Sequence, residues 1–99
     1  MVLKLQRTPE AESDLIDIWR FTFEAWGEQQ AEQYLDALEA GMAQLTRMPN
    51  IGKARDAVRP GYRSLQVGRH VIFYRTLKGA IDIVRVLHDR MDPDVQLGL

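Results

Sequence analysis

The spacing of apolar positions changes twice along the chain, and each change marks a new kind of element. From Val2 to Arg7 the residues alternate by two, with Val2, Lys4 and Gln6 on one side and Leu3, Leu5 and Arg7 on the other, which predicts a short strand. Thr8 then suits an N-cap, and Pro9 suits a first helical position where its missing N–H costs nothing. Glu10 and Glu12 favour the positive end of the helix dipole. The stripe Ala11, Leu15, Ile18, Trp19, Thr22, Phe23 and Trp26 advances by threes and fours, predicting one buried helical face that Gly27 terminates. A second helix is predicted from Glu28 to Met48. Its inner side is Ala31, Tyr34, Leu35, Leu38, Met42 and Leu45, and its solvent side Glu28, Glu32, Asp36 and Glu39. The short link at Gly27 makes the two an antiparallel helical hairpin, with Trp19, Phe23, Trp26 and Tyr34 expected in the core. Gly41, at a cost of ~1 kcal/mol against alanine, predicts a close approach by another backbone.

After Pro49 the period is lost, and residues 50–61 read as a loop without helical or strand pattern. From Tyr62 onward it returns as strands: Tyr62 to Val67, Arg69 or His70 to Thr76, and Ala80 to His88. Gly68 and Lys78-Gly79 are short enough for tight hairpins in an antiparallel sheet. With two-residue turns, Arg63, Leu65, Val67, His70, Ile72, Tyr74, Ile81, Ile83, Arg85 and Leu87 share one face. Ser64, Gln66, Val71, Phe73, Arg75, Asp82, Val84, Val86 and His88 share the other. Both faces carry apolar residues, so one is expected under the helices and the other under a tail or a partner. The order β-α-α-β-β-β defines an α+β fold, an N-terminal strand and an antiparallel helical hairpin packed on an antiparallel β-sheet, in a single domain over residues 1–99.

Composition changes this picture mainly by exclusion. The absence of cysteine removes thiol catalysis, disulfides and cysteine-ligated metals. No apolar run is long enough for a signal peptide or a membrane span, so a soluble, cytoplasmic protein is expected with no membrane partner. No phosphate loop, paired metal-ligand histidines or Gly-x-Ser-x-Gly elbow is present, and neither cofactor nor metal is expected. The net charge of −1 hides an asymmetry. Residues 1–49 carry 4 basic and 9 acidic side chains, residues 50–99 carry 9 and 5, so the second half offers a basic surface to an acidic protein segment or a nucleic acid.

Candidate chemistry rests on two histidines and the arginines. His70, just past a hairpin, reads as a turn residue with one ring nitrogen held by backbone. His88, ending the last strand beside Asp89 and Arg90, is the better acid–base candidate, with a hydrogen-bonded structural role as the alternative. Arg75 is expected to pair across strands with Asp82. Arg63 and Arg85 fall on a largely apolar face, which predicts a definite acidic partner for each, inside or outside the chain.

The closing run Arg85-Val86-Leu87-His88-Asp89-Arg90-Met91-Asp92 resembles the last motif of ParE toxins, in the ParE/RelE superfamily. Thr8-Pro9-Glu10-Ala11 before Asp14, Leu15 and Ile18 resembles the first helix of that family, and Trp26-Gly27 with Ala31 and Tyr34 its helix junction. Leu45, Met48-Pro49 and Gly52 resemble its exit from the second helix. Gly61-Tyr62-Arg63-Ser64-Leu65 and His70-Val71-Ile72-Phe73-Tyr74-Arg75 resemble its strands. The resemblance implies a type II toxin that inhibits DNA gyrase and is neutralised by a cognate ParD-like antitoxin, a DNA-binding dimer, with no specific DNA binding by this chain. Trp19, Tyr34, Arg63, Arg69, Tyr74, Arg75 and Arg85 are then the expected antitoxin contacts, and His88, Arg90, Met91 and Asp92 the expected target contacts. No residue is catalytic on that reading. The alternatives are a RelE-like ribosome-dependent messenger RNA endoribonuclease, for which Arg63, Arg85 and His88 would be the catalytic set, and an attenuated antitoxin-binding module. Strand parity, which sets His88 opposite the two arginines, speaks against the ribonuclease unless the strand bulges.

Overall fold

Thr8 ties the first helix to the sheet. Its Oγ1 accepts the Ala11 amide at 3.0 Å as an N-cap and donates to the Val84 carbonyl at 2.7 Å, while its own amide reaches the Ile83 carbonyl at 3.0 Å. The computed structural model describes residues 2–97. The elements are β1 (Lys4–Arg7), α1 (Pro9–Trp26), α2 (Glu28–Leu45), β2 (Lys53–Ala54), β3 (Tyr62–Val67), β4 (His70–Leu77), β5 (Ala80–His88) and α3 (Pro93–Gln96). The five strands form one sheet in the order β1-β5-β4-β3-β2. One face is covered by the α1–α2 hairpin, whose ends Arg7 pins together through Glu12 at 3.5 Å and Glu39.

Four features differ from the sequence-based expectation. The sheet is mixed, because β1 runs parallel to β5 at the edge while every other pairing is antiparallel. Residues Lys53 and Ala54, in the stretch read as a loop, form β2 against Ser64 and Arg63; two residues are too few to show a period. α2 ends at Leu45 rather than Met48, where the Thr46 hydroxyl turns back onto the Ala43 carbonyl at 2.6 Å. After β5 the chain makes a short helix, α3, capped by Asp92 through the Asp94 amide at 2.9 Å.

The largest correction concerns β5. Tyr74 faces Ile83, yet Phe73 faces Arg85, so Val84 is an extra residue and the strand bulges. The bulge reverses parity for everything after it. Val86 and His88 join Ile72 and His70 on the helix side, and Arg85 and Leu87 turn to the outer side. His88 therefore shares a face with Arg63, not with Arg85. The acceptors and donors that hold the bulge come from the start of α1. Thr8 takes the Val84 carbonyl, and the Asp14 carboxylate takes the Val86 amide at 2.9 Å and the Arg85 guanidinium at 2.7 and 2.9 Å.

The core lies between hairpin and sheet and comprises Ala11, Leu15, Ile18, Leu38, Met42, Leu45, Ile72, Tyr74, Ile81, Ile83 and Val86. Gly41 is a close-approach site, but side chains rather than backbone approach it: an added Cβ would stand 2.9 Å from Val67 Cγ2. Phe73 and Leu87 on the outer face are as buried as the core, at 3% and 2% exposure. The loop before β3 and the segment after β5 both reach this face, where Arg55 donates to Ser64 and Arg85 to the Gln96 carbonyl.

Asp14→Ala is expected to lower stability by about 2 kcal/mol, because it strands the Arg85 guanidinium and the Val86 amide at once, with both side chains of the pair still partly solvated. Urea unfolding of the variant beside Asp14→Asn, which retains an oxygen acceptor and should lose less, measures this.

Candidate partner-binding groove

At the closed end of the helical hairpin, the junction Trp26-Gly27, the β3–β4 turn and the end of β5 surround a groove of about 500 Å³. Its helical wall is Asp17, Ile18, Phe21, Thr22 and Trp26 from α1 with Gln30 and Tyr34 from α2. Its sheet wall is Arg69, His70, His88 and Met91. The lining is mostly apolar, with a few polar groups at one end, the usual make-up of a recognition site. Phe21 and Trp26 are 71% and 72% exposed, and Met91 is 48% exposed. Gathered around one concavity, they form an exposed apolar surface of the kind that interaction sites present.

The polar end is organised by Tyr34. Its hydroxyl lies 2.6 Å from His70 Nδ1 and accepts the Arg69 amide at 3.0 Å. Gly68, at φ +58°, lets the turn come this close: a Cβ there would meet the Tyr34 ring at 2.8 Å. His70 and His88, cross-strand partners, meet edge to face with ring centres 5.4 Å apart. Burial, and secondarily the neighbouring His88, lowers the His70 pKa below its ordinary 6.5, against smaller opposing effects of Asp89 and Asp14. A neutral His70 has a bare Nδ1 to accept the Tyr34 proton, so the short contact and the direction of the shift agree. The ring nitrogen expected to rest on backbone is held by this side chain instead. His88 Nδ1 accepts the Arg90 amide at 3.2 Å, with the Asp89 carboxylate at the same distance.

The residues singled out from the sequence divide among several places. Tyr34, Arg69, His88 and Met91 come together in the groove. Trp19 is half-buried on another flank of α1, against Phe23 at 6.2 Å. Phe23 and Trp26, expected in the core, are 47% and 72% exposed. Thr22 is the last buried residue of α1, so the apolar spacing that continues past it is not matched by burial. Tyr74, expected to touch a partner, is fully buried: its hydroxyl donates to the Pro49 carbonyl at 2.7 Å and accepts the Gly52 amide at 3.0 Å. Burial raises its pKa, which keeps the phenol protonated.

Arg63, far from any carboxylate, donates to the Gly52 carbonyl at 2.7 Å, so the acidic partner predicted for it is replaced by loop backbone. Arg75 pairs with Asp82 at 3.0 Å as expected. The acidic partner predicted for Arg85 is internal, Asp14, whose hydrogen bonds raise the Arg85 pKa. Arg90 is exposed beside the groove, and Asp92 is a helix cap. Arg63 and His88 share a face but pair with Tyr74 and His70, four residues apart on β4 and thus on the order of 13 Å. The three residues named for RNA cleavage do not converge. Sequence reasoning missed Phe21, Asp17, Gln30 and the role of His70. Phe21 carried a signal, being a large apolar residue off the buried stripe of its own helix.

A five-stranded sheet backed on one face by an antiparallel helical hairpin is the architecture of RelE- and ParE-like toxins. It superposes on a chain of the chromosomal ParDE toxin–antitoxin system from P. aeruginosa with a TM-score of 0.76, at 22% identity, covering 88% of this chain and 96% of that one. It also superposes on a chain of the RelBE2 toxin–antitoxin complex from Mycobacterium tuberculosis at 0.61, again at 22% identity, covering 89% and 99%. Those likenesses establish the fold; sequence narrows it. Residues 5–93 match the family described as the ParE toxin of the type II toxin-antitoxin system, parDE, and the chain belongs to that family. Toxin ParE1 of Mycobacterium tuberculosis is 50% identical over 91 residues, 91% of this chain and 93% of the relative. Toxin ParE1 of Caulobacter vibrioides is 38% identical over 88 residues, 89% and 91% of the two chains. Among the described residues no helix is long and apolar enough to cross a membrane.

The lowered His70 pKa sets a pH dependence. The unfolded chain binds a proton near pH 6.5 that the folded chain resists, so this contribution to stability is present above that pH and is lost as pH falls through it towards the folded value. Melting temperatures should therefore drop as the solution is acidified below about 6.5. His70→Asn should flatten that part of the profile; an unchanged slope would remove His70 as its source.

Proposed function

We propose that this chain is a toxin that inhibits DNA gyrase in the cytoplasm and is held inactive by a ParD-like antitoxin seated in the groove between Trp26 and His88. The observation that carries the reading is the exposure of Phe21, Trp26 and Met91 on one concave surface whose polar end bears Arg69 and two histidines. An antitoxin segment with large apolar anchors and an acidic residue complements that surface in both shape and charge.

Of the residues expected to meet the target, His88 and Met91 line the same groove and Arg90 borders it. A segment bound there covers them, a placement that supports neutralisation by direct occlusion. An inhibitor of this kind acts by protein contact and needs no converging acid, base and phosphate-binding cation, which suits the separation of Arg63, Arg85 and His88. The endoribonuclease remains the second reading because the bulge brings His88 beside His70 and Arg69, a set that strand parity had concealed.

The deciding experiment pairs a gyrase supercoiling assay with a translation reaction monitored for message cleavage. Loss of supercoiling or accumulation of cleaved DNA, with intact message, is the expected result. Message cut in translating ribosomes with gyrase unaffected would replace this reading with the ribonuclease, and inactivity in both would leave an antitoxin-binding module. Trp26→Ala should weaken antitoxin binding by about 2 kcal/mol, roughly thirtyfold in Kd, without lowering the melting temperature, since the indole is solvated in the free chain. Calorimetric titration against the antitoxin checks the first part and thermal unfolding the second.

A further inference from the structure

On the far side of the sheet from the groove, the chain's own C-terminal segment occupies a surface built around two guanidinium groups. Beyond His88 it is anchored by the Asp89 amide on the Arg69 carbonyl at 2.8 Å. It then turns into α3 and ends with two successive carbonyls on two arginines from different elements. Gln96 accepts from Arg85 Nη1 at 3.0 Å, and Leu97 from Arg59 Nη2 at 3.3 Å. Phe73, the cross-strand neighbour of Arg85, and Leu87, two residues further along β5, are on the same face and nearly without solvent contact.

Arg59 is poorly served by this arrangement. It is half-buried, with its guanidinium carbon 5.9 Å from the centre of the Tyr62 ring. Its Nε is sealed from solvent without a hydrogen-bond partner among the described residues, and its one hydrogen bond to a neutral carbonyl is long. Arg7, Arg75 and Arg85 each have a carboxylate, while Arg59 has none within 4.0 Å among the described residues. A half-buried guanidinium with a sealed, unbonded edge calls for an anion, and a carboxylate would meet the Nε–Nη edge bidentately, with bonds roughly twice as strong as those to neutral acceptors.

We propose that Arg59 and Arg85 form a second binding site, on the outer face of the sheet, for an acidic protein segment that displaces the chain's own C-terminal segment. Arg59 takes the carboxylate, and Arg85 contributes Nη1, the donor that Asp14 leaves free. Phe73 and Leu87 share this face, so the incoming segment carries apolar residues beside its acid. A nucleic acid fits less well. Arg75 and Arg85 are already neutralised by Asp82 and Asp14, which leaves, among the described residues beside this site, Arg59 and Arg55 without a carboxylate, fewer cations than a phosphate backbone engages. This site lies outside the groove, and its test needs neither antitoxin nor gyrase.

The test uses the full chain and the peptide acetyl-Leu-Glu-Glu-Leu-amide, with the Gln-Gln peptide as control. Two signals are followed: the Arg59 Nε–H resonance, and hydrogen exchange at the Gln96 and Leu97 amides, which the intact segment bonds to the Asp92 and Pro93 carbonyls. The Glu peptide should move the Arg59 resonance and speed exchange at those two amides at least about tenfold, the Gln peptide should do neither, and Arg59→Lys, which keeps the charge but loses the fork, should weaken binding at least about fivefold. The proposal is overturned if Arg59 Nε–H stays fixed at millimolar Glu peptide, if the Gln peptide works as well, or if Arg59→Lys binds undiminished. It is also overturned if an oligouridylate moves the resonance at lower concentration than the peptide, which would assign the face to nucleic acid.

Discussion

Asp14 is the point on which the two layers of this protein register. Its carboxylate accepts from Arg85 Nε, Arg85 Nη2 and the Val86 amide, all between 2.7 and 2.9 Å, and so joins the middle of α1 to β5 just past the bulge. Without the bulge, Val86 would face outward and the Arg85 charge would point into the helix-side core. With it, Val86 fills the core, and the Arg85 side chain reaches a carboxylate and the tail at the sheet edge. A charge-assisted pair of this sort adds modest net stability once desolvation is counted, but removal of either partner is costly. It therefore acts as a register pin, making the alternative parity of β5 expensive.

The same parity change builds the groove. It turns His88 to the helix side beside His70, and the Tyr34 hydroxyl then fixes the turn that carries Arg69. α1 continues past its last buried residue, Thr22, and Phe21 and Trp26 are held in solvent by a helix whose earlier turns are firmly packed. A rigid scaffold presenting exposed aromatics loses little side-chain entropy when a partner arrives, which favours tight and specific association. The cost is an apolar surface in water, and membership of a toxin–antitoxin family accounts for why such a surface is kept.

Much of this organisation is legible in the residues. The Thr8-Pro9 start, the stop at Gly27, the turns at Gly68 and Gly79 and the pairing of Arg75 with Asp82 rest on local rules about caps, φ angles and cross-strand neighbours, and local rules can be read from a sequence. Tyr34 and Arg69, expected as partner contacts from resemblance, lie together in the groove. Trp26 was misplaced because spacing reveals which way a side chain points and not whether anything lies opposite. Tyr74 was expected as a partner contact from resemblance alone, yet the Pro49 carbonyl and Gly52 amide satisfy its hydroxyl in the interior.

The sequence by itself determined every element except β2 and α3, their order, the α+β class and the family, because periodicity, capping and turn chemistry act over a few residues and the family motifs span the chain. Only the tertiary structure decided the parity of β5 and the side of the sheet on which β1 would lie. It alone set the acceptors of Arg63 and Arg85 and which aromatics stayed in water. The parity of β5 and the acceptor of Arg85 turn on contacts between residues more than sixty positions apart, Thr8 with Val84 and Asp14 with Arg85. One extra residue in a strand, invisible as a pattern, was enough to exchange its faces.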